Sequence, residues 1–359
     1  MNGDAVHIAK KKDGRYRFTI DYRKLNSMTI PDAYPLPNLD DIFDTLSGCS
    51  VFSKVDLTDG FWHVELDTED KIKTGFATRS GLYQWRVLPQ GLMNSSATFQ
   101  RVMDEVLGDL KYKCCLVFID DIIIFSKSWK EHYEHLKLVL KRLAEYGLYA
   151  KLPKCRFGMR EVEFLGHVVS RLGIQPDRKK VEVISQMMMP TTAKGMKRFL
   201  GMASYYRRFI KDFAKKSVHI RKFAHGGEIT PECEVEFQEI RDILKSRPVM
   251  AFPDFSKKFI LYTDGSMYGF GAVLCQIFDG VERVIAYASK TTSKSQMNWS
   301  QPELEGGAIV WAVEKFKVYL ADKFFTLVTD CSAMKSFRTI SKRSAKFSEM
   351  EFKITIIQF

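Results

Sequence analysis

Apolar runs in this sequence are short, Ile122 to Phe125 being an example, and a bilayer needs about 20 such residues in a row, so a membrane-spanning helix is excluded. The opening, Met1 to Lys12, lacks the apolar core of a signal segment. There is no Cys-x-x-Cys. The seven cysteines (Cys49, Cys114, Cys115, Cys155, Cys233, Cys275 and Cys331) are scattered, which fits free thiols of a reducing, intracellular compartment and argues against a disulfide frame or a zinc site. Internal repeats and low-complexity tracts are missing as well. Acidic residues are in deficit, 43 against 55 Lys and Arg, and the resulting +12 would draw the chain to a polyanion, with nucleic acid the leading candidate. What is present is globular: 359 residues, 45% hydrophobic and 27% charged, enough for two or more domains with ordinary cores.

Strand and helix signals alternate along the chain. Val6 to Ala9 and Tyr16 to Ile20 flank the basic turn Lys10-Lys11-Lys12-Asp13-Gly14 and predict a hairpin with a cationic tip. A proline-rich loop (Pro31, Pro35, Pro37), a short helix over Leu39 to Leu46 and a strand over Val51 to Leu57 follow. Phe99, Val102, Met103, Val106 and Leu107 share one helical face, and Gly108 stops that helix. The runs Cys114 to Ile119 and Ile122 to Phe125 meet at Asp120-Asp121, predicting a tight hairpin with both acids at its tip. A long amphipathic helix spans Lys130 to Tyr146. Between Lys194 and Lys222 ten Lys and Arg face one acid, Asp212, with Phe199, Tyr205, Tyr206, Phe209 and Phe213 interleaved, a basic helical unit. From Lys257 strands return at Phe259 to Thr263, Gly271 to Gln276 and Val284 to Ser289, then a helix over Glu303 to Leu320 and a strand over Phe324 to Thr329, so a second domain begins near residue 257.

Adjacent acids after so apolar a strand repel one another unless a cation sits beside them. An isolated Asp-Asp turn is common, because Asp is a favoured turn residue. Here Asp56 also ends an apolar strand, Val51 to Val55. Two strand-end acids on one sheet could hold a pair of Mg²⁺ ions about 4 Å apart, an arrangement suited to in-line displacement at phosphorus.

With these residues in view, the sequence resembles the pol polyprotein of gypsy-type long-terminal-repeat retrotransposons, in its reverse transcriptase and ribonuclease H portions. The matching motifs are Lys10 to Gly14, Asp21-Tyr22-Arg23-Lys24-Leu25-Asn26, Tyr34-Pro35-Leu36-Pro37, Phe52-Ser53-Lys54-Val55-Asp56-Leu57, Leu88-Pro89-Gln90-Gly91-Leu92, Phe118-Ile119-Asp120-Asp121, Phe164-Leu165-Gly166-His167, and Phe199-Leu200-Gly201 with Tyr205 to Ile210. They occur in the family's order almost end to end.

The resemblance implies an α+β fold, a right-hand polymerase of fingers, palm and thumb followed by a ribonuclease H-like α/β domain. The expected division is partial fingers and palm over 1–172, thumb over 173–225, a connecting segment over 226–256 and the ribonuclease H-like domain over 257–359. It implies an RNA-directed DNA polymerase using two Mg²⁺ per active site, or Mn²⁺, with Asp56 and Asp120 as principal ligands and Asp121 alongside. Lys11, Lys12 and Arg17 then match the contacts to the triphosphate, though as bare residues they read as a solvated basic turn. Phe61 matches the residue beneath the incoming sugar that excludes a 2′-hydroxyl; a lone aromatic there would ordinarily be core. Gln90, before Gly91, stands where gypsy-type elements usually carry Phe, and agrees with the retroviral Leu-Pro-Gln-Gly. A Gln there could bond the sugar 3′-hydroxyl; otherwise it is a polar loop residue. Lys154 lies near the family's lysine that protonates the leaving pyrophosphate, and a surface lysine is the competing assignment. Phe164, Leu165 and Gly166 match the primer grip. Lys194 to Lys222 matches the thumb, its cations and aromatics tracking a duplex backbone.

In the second domain the resemblance assigns Asp264, Glu305 and Asp330 as catalytic and metal-binding acids acting on RNA paired with DNA, with Glu303 a rival for the helix position. The family's fourth acid has no counterpart after Asp330, its usual His is Cys331, and Gly306-Gly307 replaces Leu-Leu at about 1 kcal/mol per mid-helix Gly. Pro302 is tolerable only in a first turn. The expectations are therefore a chain cut from something longer, an incomplete ribonuclease H domain that binds hybrid without cutting it, and partners comprising RNA template, DNA primer, RNA–DNA hybrid and deoxynucleoside triphosphates, with no membrane. The alternative is a decayed or domesticated relic that binds nucleic acid without turnover. A cytoplasmic retroelement particle, or the nucleus, is the implied location.

Overall fold

Apolar residues on both sides of the pleat, Val51 and Val55 on one and Phe52 on the other, make Val51–Asp56 a strand buried on both faces, and it organises the first half of the chain. The computed structural model describes residues 6–10, 14, 16–329 and 353–358. These form two compact units, Met1–Leu165 and Gly166–Phe359. Among the described residues no helix is long and apolar enough to cross a membrane, and six cysteines are free and buried.

In the first unit a four-stranded sheet has the order Cys115–Phe118, Asp121–Ser126, Val51–Asp56, Arg156–Met159, antiparallel throughout. Its register sets Val55 opposite Ile122 and Asp56 opposite Asp121. Val55, Val117, Ile122 and Ile124 pack with Phe99, Met103, Val106, Val139 and Leu143 from helices Ser95–Leu107 and Trp129–Glu145. Gly147, at φ +67°, ends the second of these helices, as its position predicts. The expected hairpin is present, Val6–Lys10 against Tyr16–Ile20.

Behind the sheet lies a buried polar chain that hydrophobic patterning does not reveal. The Gly158 amide donates to Ser53 Oγ (2.9 Å), which bonds His132 Nε2 (2.7 Å), while His132 Nδ1 meets Ser126 Oγ (2.9 Å). Burial first, and His135 second, lower the His132 pKa.

The second unit opens with the hairpin His167–Ser170 and Gly173–Pro176 and a set of helices, among them Arg178–Ser185, Ala193–Tyr205, Val218–Ala224 and Pro231–Lys245. Of the aromatics interleaved with the basic residues, Phe199, Tyr206, Phe209 and Phe213 are core; Tyr205 alone of the five is exposed. The family match had suggested that they track a duplex, and their apolar surface is instead spent on packing. A five-stranded sheet follows, ordered Val281–Lys290, Gly269–Phe278, Phe259–Ser266, Phe324–Thr329, Lys353–Gln358, with the last two strands parallel to Phe259–Ser266 and to each other. The helix expected over Glu303 to Leu320 is Gln301–Lys315 followed by a separate turn Lys317–Leu320.

Pro302 sits in that helix's first turn, and Gly306-Gly307 does not break it. A Cβ on Gly307 would lie 2.7 Å from the Trp299 ring and 3.1 Å from that of Phe270, whereas one on Gly306 would meet nothing within 4 Å. Gly307 is thus accounted for by the packing of Trp299 and Phe270, while Gly306 has no such contact. Gly306→Ala should stabilise the chain by about 1 kcal/mol through helix propensity, while Gly307→Ala should destabilise it despite the same gain. Urea unfolding midpoints of the two variants check this; equal shifts would contradict the packing account. His132 gives a second expectation. Its folded-state pKa lies below the ordinary 6.5, so its contribution is complete above that value and is lost as pH falls through the folded-state pKa. Melting temperature should drop below pH 6.5 in the native chain and drop less steeply in His132→Gln; parallel slopes would rule the histidine out.

Candidate active site

The turn between Cys115–Phe118 and Asp121–Ser126 is closed by the pair Phe118 and Asp121, so its two central residues are Ile119 and Asp120. Asp121 belongs to the strand, not to the tip as the sequence suggested. Ile119 has φ +58°, a region where a β-branched side chain costs about 1–3 kcal/mol. Gln100 holds it there: fully buried on helix Ser95–Leu107, it accepts the Ile119 amide proton (2.7 Å) and donates to Val117 O (3.4 Å) and Asp104 Oδ1 (2.9 Å). Asp120 is thereby fixed at the tip. Asp121 faces Asp56 across the ladder and is neutralised by Lys54, Nζ to Oδ1 2.7 Å.

Asp56 and Asp120, sixty-four positions apart, line one cavity of about 400 Å³ together with Phe61, Gln90, Lys151 and Lys154. Lys154 Nζ lies 3.3 Å from Asp56 Oδ2. Burial, then the charges of Asp121 and Asp56, push the Asp120 carboxyl above the ordinary carboxylate range, with Lys154 opposing. The Phe61 ring rests on Phe99 (centroids 5.1 Å apart) in the turn Gly60–His63, where a Cβ on Gly60 would come within 2.9 Å of that same ring. Gly91 (φ +103°) and its loop are pinned by Asn26, which donates to Gly91 O (2.9 Å) and accepts from the Met93 amide (2.8 Å). The strand Tyr16–Ile20 adds Tyr16, Phe18, Thr19 and Ile20 to the cavity wall.

Lys11 and Lys12 lie outside the described residues, and Arg17 is placed by its backbone alone, opposite Ala9. Phe164 ends a strand, and Leu165 (φ +44°) and Gly166 (φ +69°) turn the chain; neither they nor Phe164 line the cavity. Gly166 O accepts from the Tyr206 hydroxyl (2.8 Å).

In the second unit Asp264 lies within the strand Phe259–Ser266 rather than at its end and forms an ion pair with Lys215. Glu305 is buried: its Oε2 accepts the Gly265 amide proton (3.1 Å) and its Oε1 the Gln301 side-chain amide (2.7 Å). Glu303 closes the helix with Ser300 in a reciprocal cap and is exposed, whereas Glu305 is buried. Asp330 lies outside the described residues.

Sequence reading missed Gln100 and the aromatic wall Trp62 and Trp85, whose rings are 5.8 Å apart and which both line the first cavity. A Gln on the same helical face as Met103 and Leu107 was the available signal for the former. Among the described residues no group of three or more His, Cys, Asp or Glu side chains could hold a metal unaided. Two carboxylates with mutual repulsion still fit a hard divalent cation, since Mg²⁺ is commonly held by one or two carboxylates completed by substrate phosphates and water.

Residues 8–169 match the family model described as reverse transcriptase (RNA-dependent DNA polymerase), and residues 229–327 match the RNase H-like domain found in reverse transcriptase. The chain is 39% identical over 360 residues to the retrovirus-related Pol polyprotein from transposon 297 of Drosophila melanogaster, covering 98% of this chain and 34% of that protein. Its identity to the gypsy Pol polyprotein of the same organism is also 39%, covering 85% and 30% respectively. The chain thus spans about a third of the length of these curated relatives. In fold it is similar to a foamy viral protease-reverse transcriptase dRH solved with double-stranded DNA, at TM-score 0.85 and 22% identity over 100% of this chain and 65% of that one. A foamy viral protease-reverse transcriptase with an RNA/DNA hybrid gives TM-score 0.79 at 21% identity over 100% and 50%. With both domain models met in order, and such identity to Pol polyproteins across nearly its whole length, the chain belongs to the reverse transcriptase family as it occurs in retrotransposons.

Proposed function

We propose that this chain is an RNA-directed DNA polymerase whose centre is the cavity holding Asp56 and Asp120. The convergence of those two strand-end acids with Phe61, Gln90 and Lys154 in one cavity carries the proposal. Asp56 and Asp120 would hold the divalent ions, Mg²⁺ or Mn²⁺, with Asp121 alongside. Bound there, two such ions lower the pKa of the primer 3′-hydroxyl and neutralise the charge building on the leaving pyrophosphate. The primer oxygen attacks the α-phosphorus, the bond to the β-phosphate breaks, and no covalent enzyme intermediate is needed.

The chain's own side chains orient the reactants. Lys154 offers its ammonium to the triphosphate and a proton to the pyrophosphate. Lys11, Lys12 and Arg17 add cations from the fingers hairpin. Gln90 bonds the sugar 3′-hydroxyl beside the permissive backbone of Gly91, and Phe61, backed by Phe99, closes the space a 2′-hydroxyl would need. Phe164, Leu165 and Gly166 grip the primer. The division into fingers and palm over 1–172, thumb over 173–225, connecting segment over 226–256 and ribonuclease H-like domain over 257–359 belongs to the same proposal. Primer, RNA template and RNA–DNA hybrid are the partners, which the duplex complexes of the foamy viral proteins support. A cytoplasmic retroelement particle is the setting we infer. The relic alternative has lost its main support, since Gly307 has a packing reason and all three palm acids persist.

Extension of a DNA primer on an RNA template, with Mg²⁺ and deoxynucleotides, is the test. Asp120→Asn should reduce extension by at least about 100-fold while leaving hybrid affinity unchanged. It should melt no lower than the native chain, because it relieves the repulsion from Asp121 and Asp56. Equal extension by the two proteins would refute the assignment. Phe61→Val should shift selection between deoxy- and ribonucleotides toward the latter by roughly 10–100-fold, measured by single-nucleotide incorporation; an unchanged ratio would return Phe61 to a core role.

A further inference from the structure

The second unit has its own cavity, about 440 Å³, bounded by Tyr262, Asp264, Gly271 and Thr329 of the sheet and by Lys211 and Asp212 of the basic segment. That segment is seated on the sheet. Phe209, Ile210, Phe213 and Ala214 are buried, and the Ala214 amide donates to Ser289 Oγ (3.1 Å). A strand glycine makes room for its acid: a Cβ on Gly271 would lie 2.1 Å from Asp212 Oδ1. Asp212 itself is held at φ +55°. The seating brings Lys215 Nζ onto Asp264 Oδ2. Burial and then Asp264 push the Asp212 carboxyl upward, with Lys215 opposing, so the three groups form one electrostatic set.

A ribonuclease H-like half that held divalent ions would need Asp264 and Glu305 open to them. Among the described residues both acids already have partners within the chain. Asp264 is counter-charged from within the chain, and both oxygens of the buried Glu305 accept hydrogen bonds, from Gly265 and Gln301. We infer that residues 210–217 are an intramolecular latch, in which the Lys215 ammonium takes the cation's place at Asp264 and keeps this half from holding a divalent ion while the segment is seated. A reason for Gly271 follows: a side chain there would meet the Asp212 carboxylate and force it to turn.

Counting bound Mn²⁺ on the full-length chain by electron paramagnetic resonance tests this without reference to turnover. Asp264→Asn should leave the native chain's count unchanged. Lys215→Ala should add one bound ion, and the double variant Lys215→Ala with Asp264→Asn should lose it again. Lys215→Gln, which keeps the length of the side chain and removes its charge, should add the same ion, so the result does not depend on one variant folding well. An ion lost from the native chain by Asp264→Asn, or no gain in either Lys215→Ala or Lys215→Gln, would overturn the latch. Neither result bears on the polymerase centre, whose ions are removed by Asp120→Asn instead.

Discussion

Like charges forced together are the constraint around which the first unit is built. The antiparallel register that sets Val55 against Ile122 for the core also sets Asp56 against Asp121, and the two-residue turn then adds Asp120 to the group. Carboxylates crowded in this way raise one another's affinity for protons, and the fold supplies Lys54 and Lys154 as partial counter-charge. The lysines reduce the excess without removing it, as the upward displacement of Asp120 records. A site left in this condition favours positive ligands, and phosphates brought in with their cations complete the balance. In the proposed function the net charge of +12 serves the polyanion while this one spot serves the metal.

The means of holding that spot is mechanical as well as electrostatic. Ile119 adopts a backbone conformation that glycine would take at lower cost, and a fully buried Gln100 secures its amide. Strain of this kind persists only where the surroundings over-determine it. The helix Ser95–Leu107 is therefore both core and jig: Phe99 supports Phe61, and the next residue supports the turn bearing Asp120.

Period-two and period-3.6 patterns made most strands and helices legible in advance, because those patterns follow directly from which faces are buried. Asp56 and Asp120 stood out because acids at the ends of apolar strands are anomalous, and the fold brings both to one cavity. Three kinds of feature were not legible. Gly307 looks like a helix defect until Trp299 and Phe270 are seen to fill its missing side chain. The aromatics among the basic residues look like a ligand surface, since sequence spacing alone does not say which side of a helix finds a partner. Lys215 and Asp264 are far apart in the chain and share no motif, so their pairing exists only once the segment is seated.

The six buried thiols have a use beyond filling space. Cys49, Cys114, Cys115 and Cys155 lie in the first unit, and Cys233 and Cys275 in the second. None can be reached by an alkylating reagent until its own neighbourhood opens, and such openings occur in cooperative pieces with different free energies. The molecule therefore carries two independent sets of clocks, and the rate at which each sulfur is modified would report which unit breathes first and which survives longest.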